Sequence, residues 1–257
     1  QQLVERRAQR RRQARNLGLL LGVLVVVAFL ISVLSGDDKS TVSSGDTSTT
    51  SPSGGIDVEL PGAGASITGD TPCPPADGSA KRTTSFAKPP PTCIDKTATY
   101  TATLDTTEGK IVIALDSAHA PITVNNFVVL ARYHFYDDVP FHRVITGFMN
   151  QAGDPVGPVP GSGGPGYSIP DELPTAEDPY PAGTLAMANT GQPDSGGAQW
   201  FIVVEGGGPQ LSTTYTDFGH VTEGQDVVDA INKLGTGPTD GKPRKVVTIR
   251  SVTITES

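Results

Sequence analysis

The stretch that decides the fold is FHRVITGFMNQAGD, residues 141–154, which is followed by GTLAMANTG at 183–191 and AQWFIV at 198–203. Each stretch carries a short run of β-branched, aromatic or other apolar residues with Gly, Asn or Asp close by. Short apolar runs beside turn residues are typical of β-strands. We therefore predict strands at Phe141–Ile145, Phe148–Gln151, Thr184–Ala188 and Gln199–Val204.

Working outward, the same kind of pattern fills residues 98–257, which we take as one domain. Ala98–Leu104 and Lys110–Leu115 alternate as strands do, and a turn at Thr106–Gly109 joins them. Further strands are predicted at Asp217–Val221 and Val246–Ile254.

Two segments of this domain have a helical pattern. Pro121 stands at a first helical position, and the apolar residues after it recur at helical spacing. Glu223–Leu234 is amphipathic. Seven or eight short strands with only two helices predict a mainly β fold, a closed antiparallel barrel whose open ends the helices cover.

The N-terminal region has the pattern of a membrane anchor. Residues 1–16 contain six Arg and one Glu, and residues 17–34 are 18 uncharged residues, enough to cross ~30 Å of hydrocarbon as a helix. The positive-inside rule then predicts a cytoplasmic basic segment at 1–16, a single transmembrane helix at 17–35, and an extracytoplasmic remainder. A cleaved signal peptide is the alternative, although the apolar run is longer than its usual ~7–15 residues.

Residues 36–97 are predicted to be an extracytoplasmic linker rich in Gly, Ser, Thr and Pro, because such a segment buries too little surface to offset its ordering entropy. The linker contains Cys73 and Cys93. Outside the cytosol they can form a disulfide that closes a loop of about 20 residues and contributes about 3 kcal/mol. The alternative is a pair of free thiols.

Composition and short motifs exclude several classes of function. The net charge is −8 and the basic residues are concentrated at the N-terminus, which argues against nucleic acid as a partner. Two Cys and four scattered His predict no metal site. GSGGPG at 161–166 lacks the GK[ST] of a phosphate loop. PDSGGA at 193–198 is similar to a serine-protease loop, but the chain between His119 and Ser195 is too short for that fold.

Taken in order, these stretches resemble the cyclophilin family of peptidyl-prolyl cis-trans isomerases. The motif FHR(V/I)xxGFMxQxGD is matched at 141–154, and at its variable position 152 Ala152 replaces a Gly. The similarity continues through GSGGPGY, MAN, QWF and FGHVTEGQDVVDAI and covers essentially 98–257. It implies a closed eight-stranded antiparallel barrel capped by two helices. With the predicted anchor, the chain is similar to membrane-anchored bacterial members of actinobacterial type.

The chemistry of such an enzyme needs neither a nucleophile nor a metal, and we predict no cofactor. An X-Pro bond has cis and trans forms of similar energy, separated by a barrier of ~18–20 kcal/mol that comes from amide conjugation. A catalyst has to hold the proline ring in a dry pocket. It also has to direct a hydrogen-bond donor at the twisted state, in which the prolyl nitrogen regains its lone pair.

The resemblance assigns an apolar pocket and a set of polar groups around it. Arg143, Phe148 and Gln151 are the predicted catalytic residues: the Arg143 guanidinium engages the prolyl amide and Gln151 binds the substrate backbone. The main chain at Ala188 and Asn189 contacts the residue before proline. The remaining residues of the predicted substrate site are Met149, Phe201, Leu211 and Tyr215. His142 is predicted to be a structural hydrogen-bonding residue, and Trp200 to pack inward.

Two positions differ from the well-known eukaryotic members. Gln210 stands where they have a Trp that helps to bind cyclosporin, so weak or no cyclosporin binding is expected. Tyr215 stands where they have a His, and one extra residue lies between Asn189 and Gln199. The predicted function is isomerisation of X-Pro bonds in unfolded or exported polypeptides, assisting their folding at the cell membrane. The alternative is a non-catalytic proline-binding or chaperone module on the same fold.

Overall fold

The computed structural model describes residues 55–175, 180–237 and 241–257, and its architecture is mainly β. A small parallel sheet pairs β1 (Ala65–Ile67) with β2 (Thr83–Phe86). The other strands are β3 (Tyr100–Thr106), β4 (Gly109–Leu115), β5 (Val139–Pro140), β6 (Arg143–Ile145), β7 (Met149–Ala152), β8 (Thr184–Met187), β9 (Trp200–Val203), β10 (Asp217–Glu223) and β11 (Thr248–Glu256). They form one antiparallel sheet in the order β5-β11-β3-β4-β10-β8-β9-β7-β6.

The prediction of a closed eight-stranded barrel is wrong in both number and closure, because this sheet has nine strands and its ladder is open between β5 and β6. Of the predicted strand Phe141–Ile145, only Arg143–Ile145 forms a strand, β6. Only Phe141 and His142 separate the two edge strands in the chain. The Val144 N–H in β6 donates to the Gly241 carbonyl at 2.7 Å, so this edge strand pairs with a loop instead of with β5. The sheet is a curled half-barrel.

The described residues contain the two predicted α-helices, α1 (Pro121–Arg132) and α2 (Gln225–Asn232), and both pack against strands of the curled sheet. Helix α1 begins at Pro121, where a missing N–H costs no helical hydrogen bond. Its Phe127 lies in the interior with a stack of aromatic rings, including Tyr136 at a centroid distance of 5.1 Å and Phe218 at 5.6 Å. Trp200 is completely buried in the same cluster, which confirms its predicted inward position.

The segment 55–97, here called the extension, is an ordered part of the domain, so the prediction of a linker up to Ala98 is wrong for these residues. Phe86 is 2% exposed and contacts Tyr133 edge-to-face at 5.4 Å. The Thr83 N–H donates to the Tyr133 carbonyl at 2.9 Å. Sparse apolar residues such as Phe86 suffice here because the curled sheet and helix α1 supply the rest of the core. The first part of the predicted linker, 36–54, lies outside the described residues.

Cys73 and Cys93 are joined by a disulfide within the extension, with their Cα atoms 5.4 Å apart. The Asn125 side chain of α1 holds the second cysteine in place, accepting from the Cys93 N–H at 2.7 Å and donating to the Pro91 carbonyl at 2.9 Å. The disulfide closes a loop within the extension, and Asn125 attaches the end of that loop to helix α1.

The described residues include no helix that is both long and apolar enough to cross a bilayer. The predicted basic segment 1–16 and anchor 17–35 lie outside these residues.

Candidate functional site

The site lies where β7 and β9 bury both of their faces. Alternate residues of β9 face opposite sides: Trp200 and Ile202 lie in the interior core, and Phe201 and Val203 lie in a second apolar cluster. This cluster also contains Met149 from β7 and is bordered by partly buried side chains. The apolar residues of β9 therefore pack alternately into two separate hydrophobic clusters.

All nine of the predicted catalytic and substrate-site residues line one cavity of about 200 Å³ above the second cluster, here called the proline cavity. Its lining residues are Arg143, Phe148, Met149, Gln151, Ala188, Asn189, Phe201, Leu211 and Tyr215. Met149 and Phe201 are buried at its floor, whereas Arg143 is exposed at its edge. The structure thus brings an apolar floor and one cationic group together.

An aromatic wall is fixed on one side of the cavity. Tyr215 contacts the Phe201 ring edge-to-face, with 5.3 Å between centroids and an interplanar angle of 87°. The buried Tyr180 holds the Tyr215 backbone twice: its hydroxyl donates to the Tyr215 carbonyl at 2.7 Å and accepts from the Tyr215 N–H at 3.1 Å. Tyr180 positions the wall, although the sequence analysis did not identify it.

A chain of side-chain hydrogen bonds leads to the Arg143 guanidinium. Arg143 Nη1 donates to Gln151 Oε1 at 3.1 Å, and Gln151 Nε2 donates to Gln199 Oε1 at 3.0 Å. Gln199 Nε2 in turn donates to the carbonyls of Gly161 and Gly163 at 2.9 and 2.7 Å. Each amide therefore has its oxygen directed toward the arginine, which orients the guanidinium before any substrate binds.

One buried carboxylate holds the loop that contains Gly161 and Gly163. Asp154 is fully buried, and its two oxygens accept from four backbone N–H groups, those of Val156, Gly157, Gly161 and Gly163, at 2.8–3.1 Å. Glycine is needed close to this carboxylate, since a Cβ at Gly163 would lie 2.2 Å from Asp154 Oδ1. Four charge-assisted hydrogen bonds hold the carbonyls that Gln199 uses.

Helix α2 fixes the turn that carries Phe148. Asn232 Oδ1 accepts from the Gly147 N–H at 2.8 Å, and its Nδ2 donates to the Ile145 carbonyl at 2.9 Å. The buried Asn150 joins the same network, accepting from Asn232 and donating to the Val228 carbonyl, both at 2.9 Å. These bonds hold both ends of the β6–β7 turn.

Arg143, which lines the cavity, and His142, its neighbour in the sequence, have different environments. Partial burial lowers the pKa of Arg143, and the nearby Tyr215 phenol opposes this shift, so the guanidinium stays protonated. Burial lowers the pKa of His142 to about 4. Neither ring nitrogen of His142 has a hydrogen-bond partner among the described residues, so the predicted structural hydrogen-bonding role is wrong. Its neutral ring packs against Gly161 instead.

Some polar groups near the cavity are already used within the protein. The Ala188 N–H donates to the Gln199 carbonyl at 2.9 Å, so this predicted substrate contact has to use the Ala188 carbonyl or methyl group. Asn189 Nδ2 donates to the Thr214 carbonyl at 2.8 Å. Gln210 does not line the cavity, and its amide donates to the carbonyls of Gly147 and Gly206.

No cluster of three His, Cys, Asp or Glu in the described ranges is arranged to bind a metal.

Gln199 is the functional residue that the sequence analysis missed and could have found. It lies two residues before Phe201, and side chains at that spacing along an extended segment point to the same side. A polar residue two positions from a predicted pocket residue is therefore a candidate for the same site. Asp154 was contained in the quoted motif but had no assigned role.

The fold and this cavity combine an antiparallel sheet with an apolar pocket beside one oriented cation. Residues 101–254 match the family model "Cyclophilin type peptidyl-prolyl cis-trans isomerase/CLD". Peptidyl-prolyl cis-trans isomerase A of Mycobacterium tuberculosis is 47% identical over 177 residues, covering 61% of this chain and 93% of that protein. Isomerase B of Streptomyces anulatus is 42% identical over 175 residues, covering 60% and 95%.

A solved structure shares the fold. The crystal structure of a Cryptosporidium parvum cyclophilin-type isomerase in the presence of the dipeptide Ala-Pro has a TM-score of 0.55 and 27% identity, covering 61% of this chain and 99% of that chain. The chain belongs to the cyclophilin-type peptidyl-prolyl cis-trans isomerases.

The environment of His142 predicts a pH-dependent stability. The folded chain binds a proton at His142 with a pKa of about 4, whereas a histidine in the unfolded chain has a pKa of about 6.5. Stability should therefore fall as the pH drops from about 6.5 toward 4, by up to about 3 kcal/mol, and this contribution should not vary above pH 7.

Denaturant titrations of the wild type and His142→Gln at pH 7.5 and 4.5 isolate this contribution. Asp217, whose pKa burial raises to about 6, titrates in both proteins and cancels in the comparison. A difference in unfolding free energy between the two proteins that stays constant with pH would contradict the assignment.

Proposed function

We propose that the proline cavity is the active site and that Arg143 is its catalytic donor. The observation that carries this proposal is the position of one guanidinium, oriented by Gln151, at the edge of an apolar cavity built on Met149 and Phe201. The apolar floor binds the proline ring. The cation stabilises the twisted amide, in which conjugation is lost.

The remaining lining residues have different roles in binding the substrate. Phe148, Leu211 and Tyr215 exclude water from the ring, and Gln151 binds the substrate backbone next to the arginine. Ala188 and Asn189 contact the residue before proline. Because no bond is made or broken, no proton transfer is required, and the neutral, buried His142 takes no part. The Ala-Pro dipeptide of the Cryptosporidium structure supports a substrate of this class.

The role of Arg143 predicts a large loss of activity in one variant. Arg143→Ala should lower kcat/KM for cis–trans exchange of a short X-Pro peptide by about 10² or more, as expected for loss of one preorganised donor. Exchange NMR spectroscopy with the full chain measures this rate.

Arg250→Ala is the matched control, because Arg250 is also exposed and bonds to Asp105 and the Thr106 carbonyl on β3, outside the proline cavity. It should keep the wild-type rate. A wild-type rate in Arg143→Ala would overturn the assignment. An equal loss of activity in Arg143→Ala and Arg250→Ala would mean that the loss comes from a disturbed fold and not from the missing donor. Absence of exchange in the wild type would favour the non-catalytic binding module.

We further propose that the enzyme is anchored by residues 17–35 and acts on unfolded or exported polypeptides outside the cytoplasm. The uncharged run with Arg residues before it supports the anchor, and the Cys73–Cys93 disulfide supports an oxidising compartment. Gln210 supports weak or no cyclosporin binding, since its side chain is bonded to backbone carbonyls and offers no aromatic surface.

This location predicts the state of the cysteines in the host cell. When thiols are alkylated in intact cells, Cys73 and Cys93 should stay unmodified until a reductant is added, and the protein should stay in the membrane pellet after alkaline washing. Alkylation of both cysteines without reductant would contradict an oxidising location. Release into the supernatant would contradict the anchor.

A further inference from the structure

Arg143 also lines a second cavity, of about 500 Å³. We call it the extension cavity, because Ile56, Asp57 and Val58 of the extension form one of its walls. These residues precede the part of the chain that matches the family model, residues 101–254. The wall opposite is the loop at Val159 and Pro160.

The extension wall is attached to the barrel on both sides. The Ile56 N–H donates to the Pro243 carbonyl at 3.0 Å, and the Gly62 N–H donates to the Pro155 carbonyl at 3.2 Å. Lys242 forms a salt bridge with Asp57 at 2.6 Å. The cavity is therefore a built feature of the folded domain, and its volume is in the usual range for binding sites.

The extension cavity shares part of its lining with the proline cavity. Arg143 and Gln151 line both of them, whereas Ala188 and Asn189 lie on the opposite side of the proline cavity, toward β8. In sheet order, β6 with Arg143 is the edge strand, and β7 and β9 separate it from β8. A substrate whose residue before proline lies at Ala188 and Asn189 therefore leaves the proline cavity past Arg143, toward the extension cavity.

The chemistry of the lining fits an apolar side chain. Ile56, Val58, Val159 and Pro160 supply apolar surface, and Val159 is 64% exposed. The charged side chains of Asp57 and Lys242 are paired with each other in a salt bridge. The ring of His142 is neutral at physiological pH because burial lowers its pKa to about 4. An exposed valine is ordinary by itself, but here it lines a cavity beside the reacting bond.

We propose that the extension cavity binds a large apolar side chain of the residue that follows proline in the substrate. The inference rests on the proposed function for the direction of the bound chain. It makes the extension a specificity element: Leu, Ile or Phe after proline gains contact with Val159 and Ile56, whereas Ser or Gly does not.

The experiment uses the full chain and two peptides that differ only in Leu or Ser directly after proline. Exchange NMR should give a kcat/KM for the leucine peptide roughly three- to tenfold above that for the serine peptide. Val159→Ser and Ile56→Ser should each reduce this ratio toward one.

Leu173→Ser is the matched control, because Leu173 is also a large exposed apolar residue, 47% exposed, and lines neither cavity. It should keep the wild-type ratio. A wild-type ratio of one, or a ratio that persists in both Val159→Ser and Ile56→Ser, would overturn the inference.

A binding measurement separates this inference from the proposed function. In methyl NMR titrations, the leucine peptide should shift the signals of Val159 and Ile56 more than the serine peptide does. If the wild type catalyses neither peptide but shows these shifts, the catalytic assignment fails and the cavity assignment holds. Equal shifts with both peptides would overturn the cavity assignment, whatever the catalytic rate.

Discussion

The interaction on which the site depends is the set of four backbone hydrogen bonds accepted by the buried carboxylate of Asp154. A buried charge is tolerated only when it is well paired, and here the partners are amides of a loop that has no regular structure of its own. Once this loop is fixed, its carbonyls orient Gln199, which orients Gln151, which orients Arg143. A flexible cation thus becomes a preorganised donor.

The curled sheet explains why an apolar cavity exists outside the main core. Strands β7 and β9 are buried on both faces, so Trp200 fills the interior while Phe201 supports the proline cavity. The ladder is open between β5 and β6, which leaves Arg143 on an edge strand. The same edge adjoins the extension cavity, where Ile56 comes from outside the region shared with the family. Because β5 and β6 do not pair, Arg143 lies where it can line two cavities.

Much of the site was predictable because its residues lie within short, ordered motifs. Met149 and Gln151 lie on one face of one strand, and Phe201 lies on the strand that pairs with it, so local pattern and family order locate them. The ordered extension was not predictable, because Phe86 becomes buried only against Tyr133, which is distant in sequence. The absence of pairing between β5 and β6 was not predicted for a similar reason. Whether β6 pairs with β5 or with Gly241 depends on three-dimensional geometry.

If Gln199 acts on catalysis through the orientation of Arg143, the two residues should be coupled in a double-mutant cycle. Rates of X-Pro exchange would be measured for the wild type, Gln199→Ala, Arg143→Ala and the double variant. We expect Gln199→Ala to lower kcat/KM by about tenfold in the wild type and to have little further effect when Arg143 is already absent. The same tenfold loss in both backgrounds would contradict it.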